Sequence, residues 1–189
     1  MKNLELSEKQ KKILLEIARD TIRNTILGTA QIDRDIDDPV LEIECGAFVT
    51  IHSKGELRGC IGNITAEIPL WLTVSNMAVQ ASTADPRFPK VSADELDEID
   101  IEISALSPLW KTEDLNEIEV GKHGILIKKG FNQGLLLPQV AIEYGFGRTK
   151  FLEHTCLKAG LPGDCYKSGD CEIYIFSATV FGEKDRLPG

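Results

Sequence analysis

An α+β fold with a mainly antiparallel sheet covered by helices is predicted by three observations. Ile13, Leu14, Ile17, Ala18, Ile22 and Ile26 recur at helical spacing. Ile99, Ile101, Ile103 and Ala105 alternate with Asp100, Glu102 and Ser104, the period of a strand buried on one face. The elements then follow in the order helix, hairpin, helix, strand, paired short strands, two helices, strand, which is not the regular alternation of a parallel α/β sheet.

Each element has a local reason. Ser7 with Gln10 three residues later forms a capping-box signature, and Gly28 ends the helical pattern that follows. Asp33 to Pro39 is an acidic, turn-prone connection. Ala47–His52 and Glu56–Gly62 are β-rich runs separated by Ser53, Lys54 and Gly55, as in a hairpin, with Ala47, Val49 and Ile51 on one face. Pro69 opens a second, mostly buried helix carrying Leu72, Met77 and Ala78, which Asp85-Pro86 stops. After the 99–105 strand come glycine-bounded runs at Gly124–Lys129 and Gly134–Leu137, and a helix starting near Pro138 with Val140, Ala141 and Tyr144. Thr149–Ala159 is the last helix, with Leu152, Thr155, Cys156 and Ala159 inward and Lys150, His154 and Lys158 stacked outward at four-residue spacing. A strand from about Cys171 to Phe181 completes the set.

With 189 residues and no internal repeat or clean linker, the chain reads as a single domain, 1–189, with a smaller lobe allowed. Hydrophobic residues at 42% are enough to fill a core. The net charge of −9 opposes general attraction to nucleic acid or anionic lipid. MKNLELSEKQ lacks the apolar core of a secretory signal, and the uncharged stretch Ile68–Ala84 is interrupted and short for a bilayer, so a cytoplasmic location without membrane attachment is expected. Five cysteines without a C-x-x-C indicate neither a disulfide framework nor a zinc ribbon, so most are expected as reduced thiols. Cys165 and Cys171 are spaced as around a turn, and His154 and Cys156 point apart on a helix, so no metal site and no cofactor are assigned.

The segment LRGCIGN, Leu57–Asn63, holds the densest chemistry. Gly59 and Gly62 flank Cys60 and permit close backbone approach of a ligand, a bulge or a sharp turn. Cys60 falls on the side of Arg58 in a regular strand, and a thiol beside a guanidinium is favoured as the thiolate, the form that acts as nucleophile or metal ligand. The competing reading makes Cys60 a small buried hydrophobe and Arg58 a surface charge.

At this point the chain resembles the AMMECR domain family, also described as system protein A of the AmmeMemoRadiSam set. The resemblance rests on GAFVTIHSKGELRGCIGN (Gly46–Asn63), AVQASTADPRFPKV (Ala78–Val91), GKHGILI (Gly121–Ile127), LLLPQVAIEYG (Leu135–Gly145) and FLEHTCLKAGL (Phe151–Leu161), in the family's order across most of the chain. Ser82 stands where the family commonly has Ala. The resemblance implies a two-lobed α/β fold and a modification pathway shared with Memo-like and radical S-adenosylmethionine proteins as partners. This chain lacks the CxxxCxxC run of a radical iron–sulfur cluster, so such chemistry would belong to a partner.

Other residues are candidates to join Cys60. In Asp85-Pro86-Arg87-Phe88, Arg87 suits a carboxylate or phosphate and Phe88 a pocket wall, whereas Asp85 as a turn cap and Phe88 as core filler is the structural alternative. His123 is a candidate base for Cys60, or else a turn histidine. Gln139 and Glu143, four apart on a short helix, offer a polar pair or a solvated face. Lys150, His154 and Lys158 form the best basic stripe, too small on an acidic chain to make nucleic acid an expected partner. Two function classes fit. One is an enzyme or enzyme accessory using Cys60 and a cleft for an anionic small molecule. The other is a noncatalytic binding or adaptor domain with an inert thiol.

Overall fold

The computed structural model describes residues 4–31 and 34–184, so Asp33, the start of the acidic connection, and Met1–Asn3, the start of the N-terminal segment, lie outside the described residues. The fold is α+β, with antiparallel strands covered by helices. The Cα trace divides into two compact units. The first contains Glu5–Leu106 and the described residues from Thr179 onward; the second contains Leu4 and Ser107–Ala178.

In the first unit, helix α1 (Glu8–Leu27) begins at Ser7, whose hydroxyl accepts from the Gln10 backbone N–H while the Gln10 side chain accepts from the Ser7 backbone. It ends at Gly28, whose φ of 68° needs a residue without a Cβ penalty. Ser7→Ala is expected to cost about 1 kcal/mol, read as a lower denaturant midpoint with an unchanged slope. Strands β1 (Ala47–Ser53) and β2 (Glu56–Asn63) form the expected hairpin. Its two-residue turn, Lys54-Gly55, has positive φ at both positions, matching the twist of the strands. β3 (Ile99–Leu106) pairs antiparallel with the other side of β1. Helix α2 (Leu70–Thr83) packs on β1 and β2, and α1 packs on α2 and β3. The buried face is the one the alternation predicts: Ala47, Val49, Ile51, Ile101, Ile103 and Ala105 are shut off from solvent with Leu14, Ile22 and Val74 of the helices.

In the second unit, β4 (Trp110–Lys111), β5 (His123–Lys129) and β6 (Asn132–Leu136) precede helices α3 (Pro138–Glu143) and α4 (Arg148–Lys158). β7 (Glu172–Gly182) pairs antiparallel with β5 on one side and β4 on the other, and β5 pairs with β6. The last residues of β7 belong to the first unit, where strand order runs β2-β1-β3-β7. Ile125, Ile127, Phe151, Leu152, Ile173 and Ile175 form this second unit's core. Within it, Cys156 and Cys165 are joined as a disulfide with Cα atoms 6.1 Å apart, a pairing the cysteine spacing did not indicate, while most of the five cysteines are thiols as expected. The cause is local: Gly160, at φ 72°, reverses the chain after α4, and a 3₁₀ turn at Cys165–Lys167 returns the second sulfur to the helix. Cys45, Cys60 and Cys171 remain thiols.

Candidate functional site

A single extra residue in β2 decides which way Cys60 faces. His52 pairs with Leu57 and Ser53 with Glu56, but Ile51 pairs with Gly59 and Thr50 with Cys60, so Arg58 has no partner on β1 and forms a bulge. Without the bulge, Cys60 would oppose Val49 on the helix-covered face. With it, Gly59 takes the inward position and Cys60 lies opposite Thr50 on the other face. The Thr50 hydroxyl donates to Cys60 Sγ at 3.2 Å. Thr50 also pairs with Glu102 of β3, so Cys60, Thr50 and Glu102 form one cross-strand row, with His52 opposite Asp100 in the next.

The backbone of Cys60 is held as firmly as its side chain. Its N–H donates to Asp85 Oδ2 at 2.8 Å and its carbonyl accepts from Arg87 Nη2 at 3.3 Å. Both groups therefore point away from β1, which makes Thr50 and Cys60 a non-hydrogen-bonded pair, the closer of the two antiparallel types, and brings the hydroxyl to the sulfur. Asp85 and Arg87 reach this position because α2 ends at Thr83 and Pro86 opens a tight turn closed by Phe88 N–H donating to the Asp85 carbonyl at 3.2 Å. Arg87 binds the carboxylate through Nε at 3.0 Å and Nη2 at 2.7 Å. Its guanidinium also lies 5.5 Å from the centre of the half-buried Phe88 ring. Asp85 is 5% exposed, and the Arg87 guanidinium beside it holds its carboxyl well below the usual carboxylate range despite the opposing effect of burial. The same pairing raises the pKa of Arg87, whose side chain remains 54% exposed.

Arg58 sits in the bulge and reaches the segment beyond the turn. Nε and Nη2 bind the Glu95 carboxylate at 2.6 and 3.0 Å, and Nη1 and Nη2 donate to the carbonyls of Pro89 and Lys90 at 2.8 and 3.3 Å. Glu95 is held down to a pKa of about 2, first by Arg58 and then by the Ser92 backbone. Arg58 is thus neither a surface charge nor a free anion receptor. The two glycines also approach their own chain rather than open space. A Cβ on Gly59 would lie 2.3 Å from the Ala81 carbonyl oxygen, and one on Gly62 would lie 2.2 Å from the Phe48 ring.

Of the residues singled out from the sequence, Arg58, Gly59, Cys60, Gly62, Asp85, Arg87 and Phe88 belong to the first unit, and Asp85, Arg87 and Cys60 are in direct contact there. His123, Gln139 and Glu143 belong to the second. The His123 ring is buried, which lowers its pKa, and its Nδ1 lies 3.0 Å from the Glu117 carbonyl and 3.2 Å from the Glu119 N–H. Trp110 packs edge-on against it at 5.4 Å. Those bonds tie the turn before β5, and none reaches Cys60. Gln139 Oε1 is buried without a partner among the described residues, and Glu143 is exposed. Thr50, Glu102 and His52 were not singled out. The alternation that sends Ala47, Val49 and Ile51 inward also sends Phe48, Thr50 and His52 outward, which is the signal that finds them. Among the described residues no cluster of three His, Cys, Asp or Glu side chains gathers as a metal site, and no helix is long and apolar enough to cross a membrane.

The fold is α+β, and its first unit holds a half-buried strand cysteine clamped by an Asp-Arg turn. The chain belongs to the AMMECR1 family, whose model matches residues 15–181. It is 40% identical to a protein of Methanothermobacter thermautotrophicus over 190 residues, covering 97% of this chain and 99% of the relative. It is 41% identical to protein MK0488 of Methanopyrus kandleri over 189 residues, covering 95% and 91%. The crystal structure of the uncharacterized protein PH0010 from Pyrococcus horikoshii superposes with a TM-score of 0.83 at 35% identity, covering 95% of this chain and 94% of that one.

Proposed function

We propose that this chain is a cytoplasmic enzyme or enzyme accessory that works through the Cys60 thiol, with Arg87 orienting an anionic small molecule beside it. The observation that carries this reading is the environment of Cys60: the sulfur of this half-buried residue accepts a hydroxyl hydrogen bond from Thr50, next to a half-exposed guanidinium fixed by Asp85. The hydroxyl and the guanidinium place a donor and a positive charge beside the sulfur, where an anionic small molecule could be held. Arg58 has its carboxylate in Glu95 and enters as a positioning residue that braces the turn. Memo-like and radical S-adenosylmethionine proteins are the partners that the family resemblance suggests.

A second reading, a noncatalytic adaptor for such a partner, is favoured by the neutralisation of both guanidiniums within the chain by Asp85 and Glu95. Native-state alkylation followed by peptide mass spectrometry separates the two. Under the thiol reading, Cys60 is modified at neutral pH, and Thr50→Val slows the reaction several-fold without changing thermal stability to match. Cys45, whose burial pushes its thiol up to about 12, stays protected and serves as the internal control. If Cys60 is as protected as Cys45 until the chain unfolds, the adaptor reading replaces the first.

A further inference from the structure

The second unit carries a feature that plays no part in the thiol site. A cleft of about 440 Å³ lies between β6, α3 and α4, within the size range of small-molecule sites. Leu136, Val140 and Leu157 give it apolar walls. Three rings form a nearly parallel ladder along it: Tyr144 on Phe146 at 5.4 Å and 23°, and Phe146 on His154 at 4.3 Å and 19°. Tyr144 is 68% exposed and Leu157 57% exposed, a large apolar presentation for a chain of this charge.

The charge at this cleft is also unusual. His154 and Lys158 are two of the three members of the basic stripe on α4, and both line the cleft. Among the described residues, Lys158 has no carboxylate within ion-pair reach, although acids outnumber bases 30 to 21 in the chain. Each stacked contact covers ring faces within the ladder, so a ligand ring is offered the exposed Tyr144 end, where a second aromatic ring packs offset or edge-on. An unneutralised ammonium at the same cleft calls for a negative group on that ligand. We infer that this cleft binds a small molecule made of a planar aromatic ring bearing an anionic group, the ring packing at the exposed Tyr144 end of the stacked rings and the anion meeting Lys158.

Two sources share that chemistry, aromatic carboxylates and mononucleotides, so the full chain is titrated with 2-naphthoate and with adenosine 5′-monophosphate. Their uncharged counterparts, 2-naphthamide and adenosine, are run in parallel, with binding read by calorimetry and by the aromatic proton signals of Tyr144 and His154. At least one anionic probe is expected to bind below about 1 mM and about tenfold more tightly than its neutral counterpart, a difference of about 1.4 kcal/mol. Tighter binding of naphthoate or of the nucleotide identifies the source. Lys158→Gln is expected to abolish the preference for the anion while leaving the neutral ring's affinity unchanged. Phe146→Leu is expected to weaken both, with the exposed His154→Leu as the substitute if the first variant does not fold. The inference is overturned if neither anionic probe binds at that concentration, if charged and neutral probes bind equally, or if sedimentation shows a second copy of the chain closing the cleft.

Discussion

Asp85→Asn is expected to lower the melting temperature by roughly 6–12 °C, which corresponds to about 3 kcal/mol in a chain of this size. The carboxylate accepts from the Cys60 N–H, the Arg87 N–H and two guanidinium nitrogens while almost fully buried. An amide keeps the shape but loses the charge and sets its NH2 donors against the N–H donors of Cys60 and Arg87. The acid sensitivity should change as well. Because Arg87 holds the folded-state pKa of Asp85 below that of the unfolded chain, its contribution is fully present above the free carboxylate value of about 3.9 and disappears as pH falls further. Glu95, held at about 2 by Arg58, loses its contribution over the interval between about 4.3 and that value. The Asp85→Asn variant should therefore show a flatter decline of stability below pH 4 than the parent chain, and Glu95→Gln should flatten it independently. Superimposable acid-denaturation curves for parent and Asp85→Asn would show that the Asp-Arg turn contributes no stability.

Gly59→Ala is expected to be similarly damaging for a steric reason, costing about 3 kcal/mol. The added methyl would lie 2.3 Å from the Ala81 carbonyl oxygen, which is helix backbone and cannot rotate aside, so α2 would have to lift from the sheet. Gly55→Ala in the hairpin turn is the matched control: its Cβ meets nothing within 4 Å, and its φ of 89° gives an expected penalty of about 1 kcal/mol. Urea midpoints of the two variants test the order. If Gly59 served only to admit a ligand, Gly59→Ala would be as stable as the parent, and the packing account of this glycine would be wrong.

Much of the architecture was legible because burial on one face writes itself into the sequence. Ile99–Ala105, the 47–51 alternation and the helical spacing from Ile13 each name the face that packs, and the Ser7–Gln10 pair and Gly28 name where α1 starts and stops. Cys60, Asp85 and Arg87 were also recognisable as chemistry-bearing residues, and they meet in space. Their roles were less legible. Counting back from the Lys54-Gly55 turn puts Cys60 on the wrong face unless the unpaired residue at Arg58 is known, and nothing in LRGCIGN says which position bulges. Glu95, the partner of Arg58, lies 37 residues away, a distance over which local pattern carries no information. The Cys156–Cys165 bond depends on a glycine reversal and a 3₁₀ turn, short-range geometry that cysteine spacing does not encode. The ladder of Tyr144, Phe146 and His154 draws on a helix end, a loop and a second helix, so it has no period to detect.

The hydrogen bonds from the Asp-Arg turn to Cys60 also govern what the chain does in company. β2 ends its strand order, and a terminal strand leaves a row of donors and acceptors that invites pairing with a neighbouring molecule. At Cys60 that row is already occupied: a carboxylate stands in for the next strand's carbonyl and a guanidinium for its N–H. By filling the edge at Cys60, the turn after α2 is expected to oppose strand-to-strand association there. Its loss should appear in concentrated solution as light scattering well before the fold itself gives way.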